Sequence, residues 1–167
     1  MAKTNWCVRM MTHRDMEEVL AIEGECFGMH AWEEDDFRKC LLQRNGIGIG
    51  MVAEKRKDCR FISGYMIYAL HRTRIDLLSF AVGWQWQRTG CGTEMMNKLK
   101  GKLFGQRKKI SAQIRETNVD AQKFFASQGF KAVGVLKNFY WDSPVPCDDD
   151  AYLFEHRAAV QRMQEST

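Results

Sequence analysis

The sequence predicts a single α/β domain, and two observations lead to that fold class. Residues 77–103 combine an apolar strand-like run, a glycine-bearing basic loop and a segment whose apolar residues recur at helical spacing. Upstream, a strand pattern at 8–11 is followed by a helical pattern that ends near Phe27. The 167 residues are enough to bury one core without disulfides or metals. We therefore expect strands and helices to be built around residues 77–103.

The N-terminal half predicts a strand, two helices and a hairpin. Thr12 and Asp15 have the spacing of a capping box, so a helix should begin there, and Gly28 should end it. Four carboxylates at 33–36 suit the positive end of a second helix. Gly64 marks a bulge or a point of close approach within the hairpin. The predicted elements are a strand at 8–11, helices at 12–27 and 32–46, and strands at 47–54 and 59–70.

The C-terminal half predicts three more strands, two helices and one long loop. Asn118 suits the start of a helix, and Gly129 suits the position just after its end. Both prolines of the chain lie in the loop at 141–149, which should border a substrate cleft. The predicted elements are a strand at 74–82, a helix at 94–103, a strand at 109–115, a helix at 118–128, strands at 131–140 and 151–156, and a tail from 157.

Composition and charge exclude several classes of function. No apolar run approaches the ~20 residues of a membrane-spanning helix, and the N-terminus lacks the apolar core of a signal peptide. Six cysteines form no C-x-x-C pair, which argues against a disulfide framework and a zinc site. The net charge of +4 is modest, and no basic stripe is interleaved with aromatic residues. We expect a cytoplasmic protein without a metal, a membrane or nucleic acid as partner.

The loop at 87–93 is the strongest candidate for a binding site. Glycines at the mouth of a helix allow an anion to approach unpaired backbone N–H groups, and Arg88 adds a positive charge beside them. Alternatively, Gly90 and Gly92 only relieve strain in a tight turn. Cys91, at the helix start, is either a thiol of lowered pKa or an inert small residue.

The same loop carries a family resemblance. Gln87-Arg88-Thr89-Gly90-Cys91-Gly92 matches the Q/R-x-x-G-x-G/A signature of the GNAT superfamily of N-acetyltransferases. Further landmarks at 114–118, 121–130, 138–140 and 150–151 resemble the RimI-type branch, which acetylates protein N-termini. The resemblance implies a GNAT fold with a mixed, mostly antiparallel sheet of about seven strands, splayed between strands 4 and 5, and about four helices. It also implies one domain over 1–167, with a core at about 8–156 and a tail at 157–167.

A second implication of the resemblance is acetyl-CoA as cofactor. Its pantetheine arm would pair with the backbone near Phe80 and Val82, because an extended amide-bearing arm is held well by an unpaired strand edge. The cofactor-binding residues implied are Phe80, Ala81, Val82, Gln87, Arg88, Thr89, Gly90, Cys91, Gly92, Thr93, Asn118 and Phe125.

The acceptor side of the site is also implied by the resemblance. Ala31 stands where the branch acetylating N-termini has a proline, so we expect a less rigid substrate loop. The implied substrate-binding residues are Glu25, His30, Trp32, Gln113 and Tyr140.

The proton-transfer residues of the family are replaced in this chain. Gln113 stands at the position of the family's catalytic glutamate and cannot accept a proton. Phe125 stands where the family has the tyrosine that acts as general acid. Asp76 is one candidate base, although it can equally pair with a nearby arginine. Tyr140 can donate a proton to the leaving thiolate, or it can line the cleft with its hydroxyl in water.

We therefore expect an acetyl-CoA-dependent N-acetyltransferase whose acceptor is a primary amine. The resemblance favours a protein or peptide N-terminal α-amine. A small-molecule amine is the first alternative, because the loop around Ala31 and the insertion with the prolines change the cleft. The second alternative is a catalytically weak acyl-CoA-binding sensor or scaffold, since that function needs neither a base nor an acid.

Overall fold

The described strands form one mixed sheet. The computed structural model describes residues 5–41, 48–55, 58–140 and 150–158. Within them the strands are β1 (Trp6–Met10), β2 (Gly48–Lys55), β3 (Asp58–Leu70), β4 (Arg74–Val82), β5 (Lys109–Arg115), β6 (Lys131–Leu136) and β7 (Ala151–Arg157). Their order in the sheet is β1-β2-β3-β4-β5-β7-β6. Strands β4 and β5 are parallel and the other adjacent pairs are antiparallel, so the predicted mixed sheet of about seven strands is confirmed.

Helices lie on both faces of the sheet. In the described part of the chain they are α1 (Met16–Phe27), α2 (Glu34–Leu41), α3 (Cys91–Lys100) and α4 (Val119–Ser127), with short 3₁₀ helices at His13–Asp15, Gly28–His30 and Trp84–Trp86. The prediction of about four helices is confirmed. None of the described helices is long and apolar enough to span a membrane.

Two buried clusters hold the layers together. Val19 of α1 and Phe37 of α2 are fully buried in a cluster with Tyr65 of β3. Met95 and Leu99 of α3 are equally buried in the other cluster, which also contains the central strands and Phe125 of α4. Each cluster removes several large side chains from water, and a buried side chain of this size contributes roughly 1.5–3 kcal/mol. The sheet therefore separates a face covered by α1 and α2 from a face covered by α3 and α4.

The predicted helix ends are largely confirmed. The Thr12 backbone N–H donates to Oδ2 of Asp15 at 2.6 Å, which forms the predicted capping box at the start of the first helical segment. Asn118 Oδ1 accepts from the backbone N–H of Ala121 at 3.1 Å and caps α4. Gly129 has φ +79°, the left-handed conformation expected just after a helix end.

Several predicted bounds were wrong, among them the start of α3, which lies at Cys91 rather than at Glu94. Helix α3 ends at Lys100 rather than at Leu103, because the N–H groups of Lys102 and Leu103 turn back to carbonyls only three residues earlier. Strand β6 ends at Leu136 rather than at Tyr140, because Asn138 adopts a positive φ of 50° and its N–H donates to the Asp150 carboxylate at 2.9 Å. Tyr140 therefore belongs to a turn.

Gly64 in β3 is a point of close approach, as predicted. A Cβ atom there would lie 2.8 Å from the carbonyl oxygen of Ala81 in β4. The register shift between β2 and β3 falls just before it, opposite Ala53 and Glu54. The end of the predicted second helix at 42–46, the loop at 141–149 and most of the tail lie outside the described residues.

Candidate functional site

A cleft opens where β4 and β5 separate. The two strands pair from Arg74 with Lys109 only as far as Leu77 with Ala112, although both strands continue beyond that point. The space between them is a cleft of about 430 Å³. Strand β4 therefore presents part of one edge to the cleft without a strand partner among the described residues, and the predicted splay between strands 4 and 5 is confirmed.

The cleft brings together many, but not all, of the predicted site residues. Those that line it are His30, Trp32, Phe80, Gln113, Asn118, Phe125 and Tyr140. Sequence reasoning did not assign Glu23, Cys26, Phe27, Ser79 or Arg115, which also line it. Glu23 had one available signal, since it lies four residues after buried Val19 on the apolar face of α1. An acidic residue at such a position requires an explanation.

The loop between β4 and α3 has the backbone conformation of an anion site. Gly90 has φ +89° and immediately precedes α3, whose first-turn N–H groups are directed out of the helix. Arg88 also has a positive φ, of 61°. The Trp6 indole N–H of β1 donates to the carbonyl oxygen of Thr89 at 3.3 Å, and the Gln87 side chain donates to the carbonyl oxygen of Val82 at 3.1 Å. The loop is thus attached to two strands.

The Gly92 position and the Cys91 side chain are closely packed. A Cβ atom on Gly92 would lie 3.2 Å from the ring of Phe124 and 3.4 Å from that of Phe80, so the glycine leaves room for two aromatic rings. The Cys91 side chain is fully buried, and burial raises the pKa of its thiol to about 12. The alternative of a lowered thiol pKa is therefore wrong, and Cys91 is a small residue of the core.

The structure does not bring Asp76 into the cleft. Its carboxylate accepts hydrogen bonds from Arg74 at 2.9 Å and from the Ser111 hydroxyl at 2.6 Å, and it pairs with His71 at 2.9 Å. Burial raises the pKa of Asp76, but the hydrogen bonds from Arg74 and Ser111 outweigh burial and hold that pKa below its ordinary value. This environment favours the alternative in which Asp76 pairs with a nearby arginine, because a carboxylate of low pKa is a weak base.

Phe125 and Tyr140 both line the cleft, in different surroundings. Phe125 is only 5% exposed, and its ring packs edge-on against Phe80, Phe124 and Phe130. Tyr140 stacks under the Arg115 guanidinium, whose central carbon lies 3.9 Å from the ring centroid. Stacking of this kind orients the tyrosine ring.

The loop after α1 is restrained by hydrogen bonds. Ala31 has φ −64°, the value that a proline would impose, and its N–H donates to the carbonyl oxygen of Gly28 at 3.1 Å. The next N–H, of Trp32, donates to Oε1 of Glu23 at 2.8 Å. Glu25 instead accepts from the backbone N–H of Trp84 at 3.3 Å and does not line the cleft.

These features fit coenzyme A thioesters. An open strand edge can pair with an extended amide-bearing arm. A left-handed glycine at a helix start, next to an arginine, suits a pyrophosphate. Among the described residues no group of three or more His, Cys, Asp or Glu side chains is placed to hold a metal ion.

Solved structures share this fold at low sequence identity. The ribosomal-protein-S18-alanine N-acetyltransferase from Escherichia coli has a TM-score of 0.74 and 16% identity, covering 97% of this chain and 99% of that chain. Arabidopsis thaliana NAA60 in complex with acetyl-CoA has a TM-score of 0.75 and 15% identity, with 91% and 98% covered. Arabidopsis thaliana Naa50 in complex with the bisubstrate analogue CoA-Ac-MVNAL has a TM-score of 0.74 and 13% identity, with 93% and 100% covered.

Comparison at the level of sequence identifies the family. Curated protein sequences show no significant match to this chain. The sequence model described as "Acetyltransferase (GNAT) family" matches residues 14–130, which is more than half of the chain. That range contains the loop at 87–93 and both strands of the cleft. The chain therefore belongs to the GNAT family of acetyltransferases, which use acetyl-CoA.

Proposed function

We propose that this protein transfers an acetyl group from acetyl-CoA to the α-amine of a protein or peptide N-terminus. The observation that carries the proposal is the cleft between β4 and β5, because it is lined both by Phe80 and Asn118, which we expect to bind the cofactor, and by Phe27 and Trp32, which we assign to the acceptor. One of the similar structures is named a ribosomal-protein-S18-alanine N-acetyltransferase. Another is bound to the bisubstrate analogue CoA-Ac-MVNAL, which joins coenzyme A to a peptide.

The chain supplies the donor side mainly through its backbone. Acetyl-CoA, when bound, supplies the thioester that is the acyl donor. The open edge of β4 offers N–H and C=O groups to the amide-bearing arm, and the start of α3 with Arg88 offers positive potential to the pyrophosphate. Phe124 and Phe80, stacked with ring centroids 5.4 Å apart, form an apolar wall beside this edge.

The chain supplies the acceptor side through side chains of α1 and the following loop. Phe27 and Trp32 give an apolar wall for the first residue of a peptide. An α-amine has a pKa of about 8, so a larger fraction of it is neutral at pH 7 than of a lysine amine of about 10.4. A cleft that lacks the usual glutamate at Gln113 is therefore better suited to α-amines. Tyr140 remains our candidate for protonating the leaving thiolate.

Thiol release from acetyl-CoA tests the proposal. The purified protein should release thiol faster when peptides with free N-termini are added than when the same peptides carry a blocked N-terminus. Gly90→Glu places a carboxylate and a strained side chain at the pyrophosphate position, so it should abolish cofactor binding by calorimetry. Unchanged cofactor affinity in Gly90→Glu would show that the site is elsewhere.

Two outcomes would favour the alternatives. Release that depends on small polyamines but not on peptides would identify a small-molecule acetyltransferase. Tight cofactor binding with no release for any amine would favour an acyl-CoA sensor, a function consistent with Gln113 and Phe125 in the cleft. A cytoplasmic location, and the extent of the domain over 1–167, stay predictions.

A further inference from the structure

A buried carboxylate is connected to the cleft by two hydroxyl groups. Glu23 of α1 is 2% exposed, and its Oε2 accepts a hydrogen bond from the hydroxyl of Tyr65, which is fully buried. The Tyr65 hydroxyl lies 2.9 Å from the hydroxyl of Ser79 on β4. Ser79 lines the cleft beside Phe80, and it is only partly buried. A continuous chain of hydrogen bonds therefore runs from the cleft surface to the carboxylate.

Packing alone does not explain why a carboxylate is buried at Glu23, next to the hydroxyls of Tyr65 and Ser79. Glu23 shares the buried face of α1 with Val19 and Ile22, where an apolar side chain would avoid the cost of burying a carboxylate. Its Oε1 accepts from the Trp32 N–H, a bond that a neutral glutamine could equally form. The second oxygen, bonded to Tyr65, therefore needs a separate explanation.

The charge state of the cluster suits proton uptake. Burial raises the pKa of Glu23 more than its hydrogen bonds from Trp32 and Tyr65 lower it, so its carboxylate is a stronger base than an exposed one. Burial also raises the pKa of Tyr65, so its hydroxyl keeps its proton. The other titratable groups that line the cleft are Cys26, His30, Arg115 and Tyr140; burial raises the pKa of the Cys26 thiol to about 11.

We propose that Ser79 and Tyr65 relay a proton from the acceptor amine to Glu23. This inference rests on the proposed acetyl transfer. As the nitrogen–carbon bond forms and the carbon–sulfur bond breaks, the amine proton passes to Ser79 Oγ. The Ser79 proton passes to the Tyr65 oxygen, and the Tyr65 proton passes to Oε2 of Glu23. Each hydroxyl ends with one proton, and the negative charge lost by Glu23 equals the charge gained by the leaving thiolate.

The relay would supply the proton acceptor that Gln113 cannot provide. Asp76 is held by Arg74, His71 and Ser111 outside the cleft, and Gln113 cannot accept a proton. Among the residues that line the described cleft, Glu23 is the sole carboxylate. Glu23 is only 2% exposed and its Oε2 accepts a hydrogen bond from Tyr65, so the proposed route for a proton from the cleft runs through Tyr65 rather than by direct contact.

Steady-state kinetics test the relay. Tyr65→Phe interrupts the chain of hydroxyls while Glu23 and the Trp32 hydrogen bond remain, and Ser79→Ala interrupts it at the cleft surface. We expect each variant, and Glu23→Gln, to lower kcat by about 10²-fold or more, the usual contribution of a positioned base. The KM for acetyl-CoA should stay unchanged, and the acidic limb of the pH profile of kcat should change shape in each variant. Glu17→Gln, which removes an exposed charge from the same helix, is the matched control and should behave as wild type.

A titration of the free protein gives a readout that does not depend on turnover. The ¹³C NMR signal of the Glu23 carboxyl should titrate above the ordinary range of glutamate. In Tyr65→Phe it should titrate higher still, because that variant removes a hydrogen bond that favours the charged form. Thermal unfolding of each variant verifies that the fold is retained.

The results separate the two proposals. Wild-type kcat in both Tyr65→Phe and Ser79→Ala, or an ordinary pKa for Glu23, would overturn the relay while leaving the proposed function intact. No acetyl transfer to any amine by the wild-type protein would overturn the proposed function and the relay with it. A lower kcat in Tyr65→Phe with a wild-type pH profile would also overturn the relay, because it would indicate a structural effect.

Discussion

At the scale of single residues, Arg9 joins three segments of the chain. Its guanidinium donates two hydrogen bonds of 2.8 Å to Asp15 and two, of 2.9 Å and 2.5 Å, to Glu54, so it connects β1 with the first helical segment and with β2. The hydrogen bonds from Arg9 outweigh burial and lower the pKa of Asp15 to about 2. The charged form of Asp15 therefore stabilises the folded protein.

This ion pair leads to a prediction about pH. Asp15→Asn should lower the free energy of unfolding at pH 7 by about 1–3 kcal/mol, since Arg9 loses a charged partner. The folded-state pKa of Asp15 lies below the unfolded one, so its stabilisation is complete above pH 4 and is lost as the pH falls towards about 2. Urea unfolding across pH measures the difference between the two proteins, which should vanish in acid. Asp35→Asn, an exposed change in α2, should show no such pattern.

Gly92 gives a second prediction at the same scale. Gly92→Ala brings a Cβ atom to 3.2 Å from the Phe124 ring, which costs about 1–3 kcal/mol as overpacking, against a gain of about 1 kcal/mol from alanine in a helix. We expect a net loss of stability. In a Phe124→Leu background the crowding is relieved, so the same change should become stabilising. Chemical unfolding of the four proteins measures this reversal, and equal effects in both backgrounds would contradict it.

At the scale of elements, the loop between β4 and α3 is positioned by β1. The Trp6 ring meets the Trp86 ring edge-on at 5.8 Å, and its N–H binds the Thr89 carbonyl oxygen. The conformation that presents the start of α3 to an anion therefore depends on a strand at the far edge of the sheet. Helix α3 packs against β1, which explains how such a distant strand reaches the loop.

Replacement of Trp6 tests this arrangement. Trp6→Phe keeps an aromatic ring but removes the hydrogen bond to Thr89, so we expect the Kd for acetyl-CoA to rise about threefold to tenfold, as for the loss of one hydrogen bond. Calorimetric titration with acetyl-CoA measures this Kd. Trp84→Phe is the matched control, because the Trp84 side chain is 64% exposed. An equal rise of Kd in both variants would mean that Trp6 has no specific effect.

Strands β4 and β5 and helix α4 were the easiest elements to predict. The bounds of β4 and β5 and the caps of α4 follow from apolar patterning and from Asn118 and Gly129, which are local signals. The end of β6 depends on Asp150, which binds Asn138 across a long loop, and no local pattern reports such a contact. The apolar face of α1 indicates that Glu23 is buried, but no local pattern identifies its partner Tyr65, which is 42 residues away.

At the scale of the whole molecule, the sheet consists of two parts joined at one short parallel pairing. Strands β1 to β4 form one part, and β5, β7 and β6 form the other. Only the first half of β4 pairs with β5, so the remainder of that edge lacks the ladder that protects amide hydrogens in a continuous sheet.

Hydrogen exchange should report this division. Addition of acetyl-CoA should slow exchange in peptides covering 78–82, because the cofactor arm supplies partners for the open edge. Peptides covering 74–77 should change little, since β5 already pairs with that segment. Mass spectrometry with and without the cofactor measures both, and equal protection of the two segments would contradict the expectation.

The open edge of β4 also affects how this sequence can vary. Every amino acid except proline carries the same backbone N–H and C=O groups, so a substitution along the edge changes the cleft walls but not the hydrogen-bonding groups. Mutations that reshape the pocket for another amine can then accumulate while the donor remains bound. In a library of substitutions at 78–80 screened for acetyl-CoA binding, proline should be depleted at positions whose N–H faces the cleft. Depletion of any other amino acid should depend only on how its side chain packs.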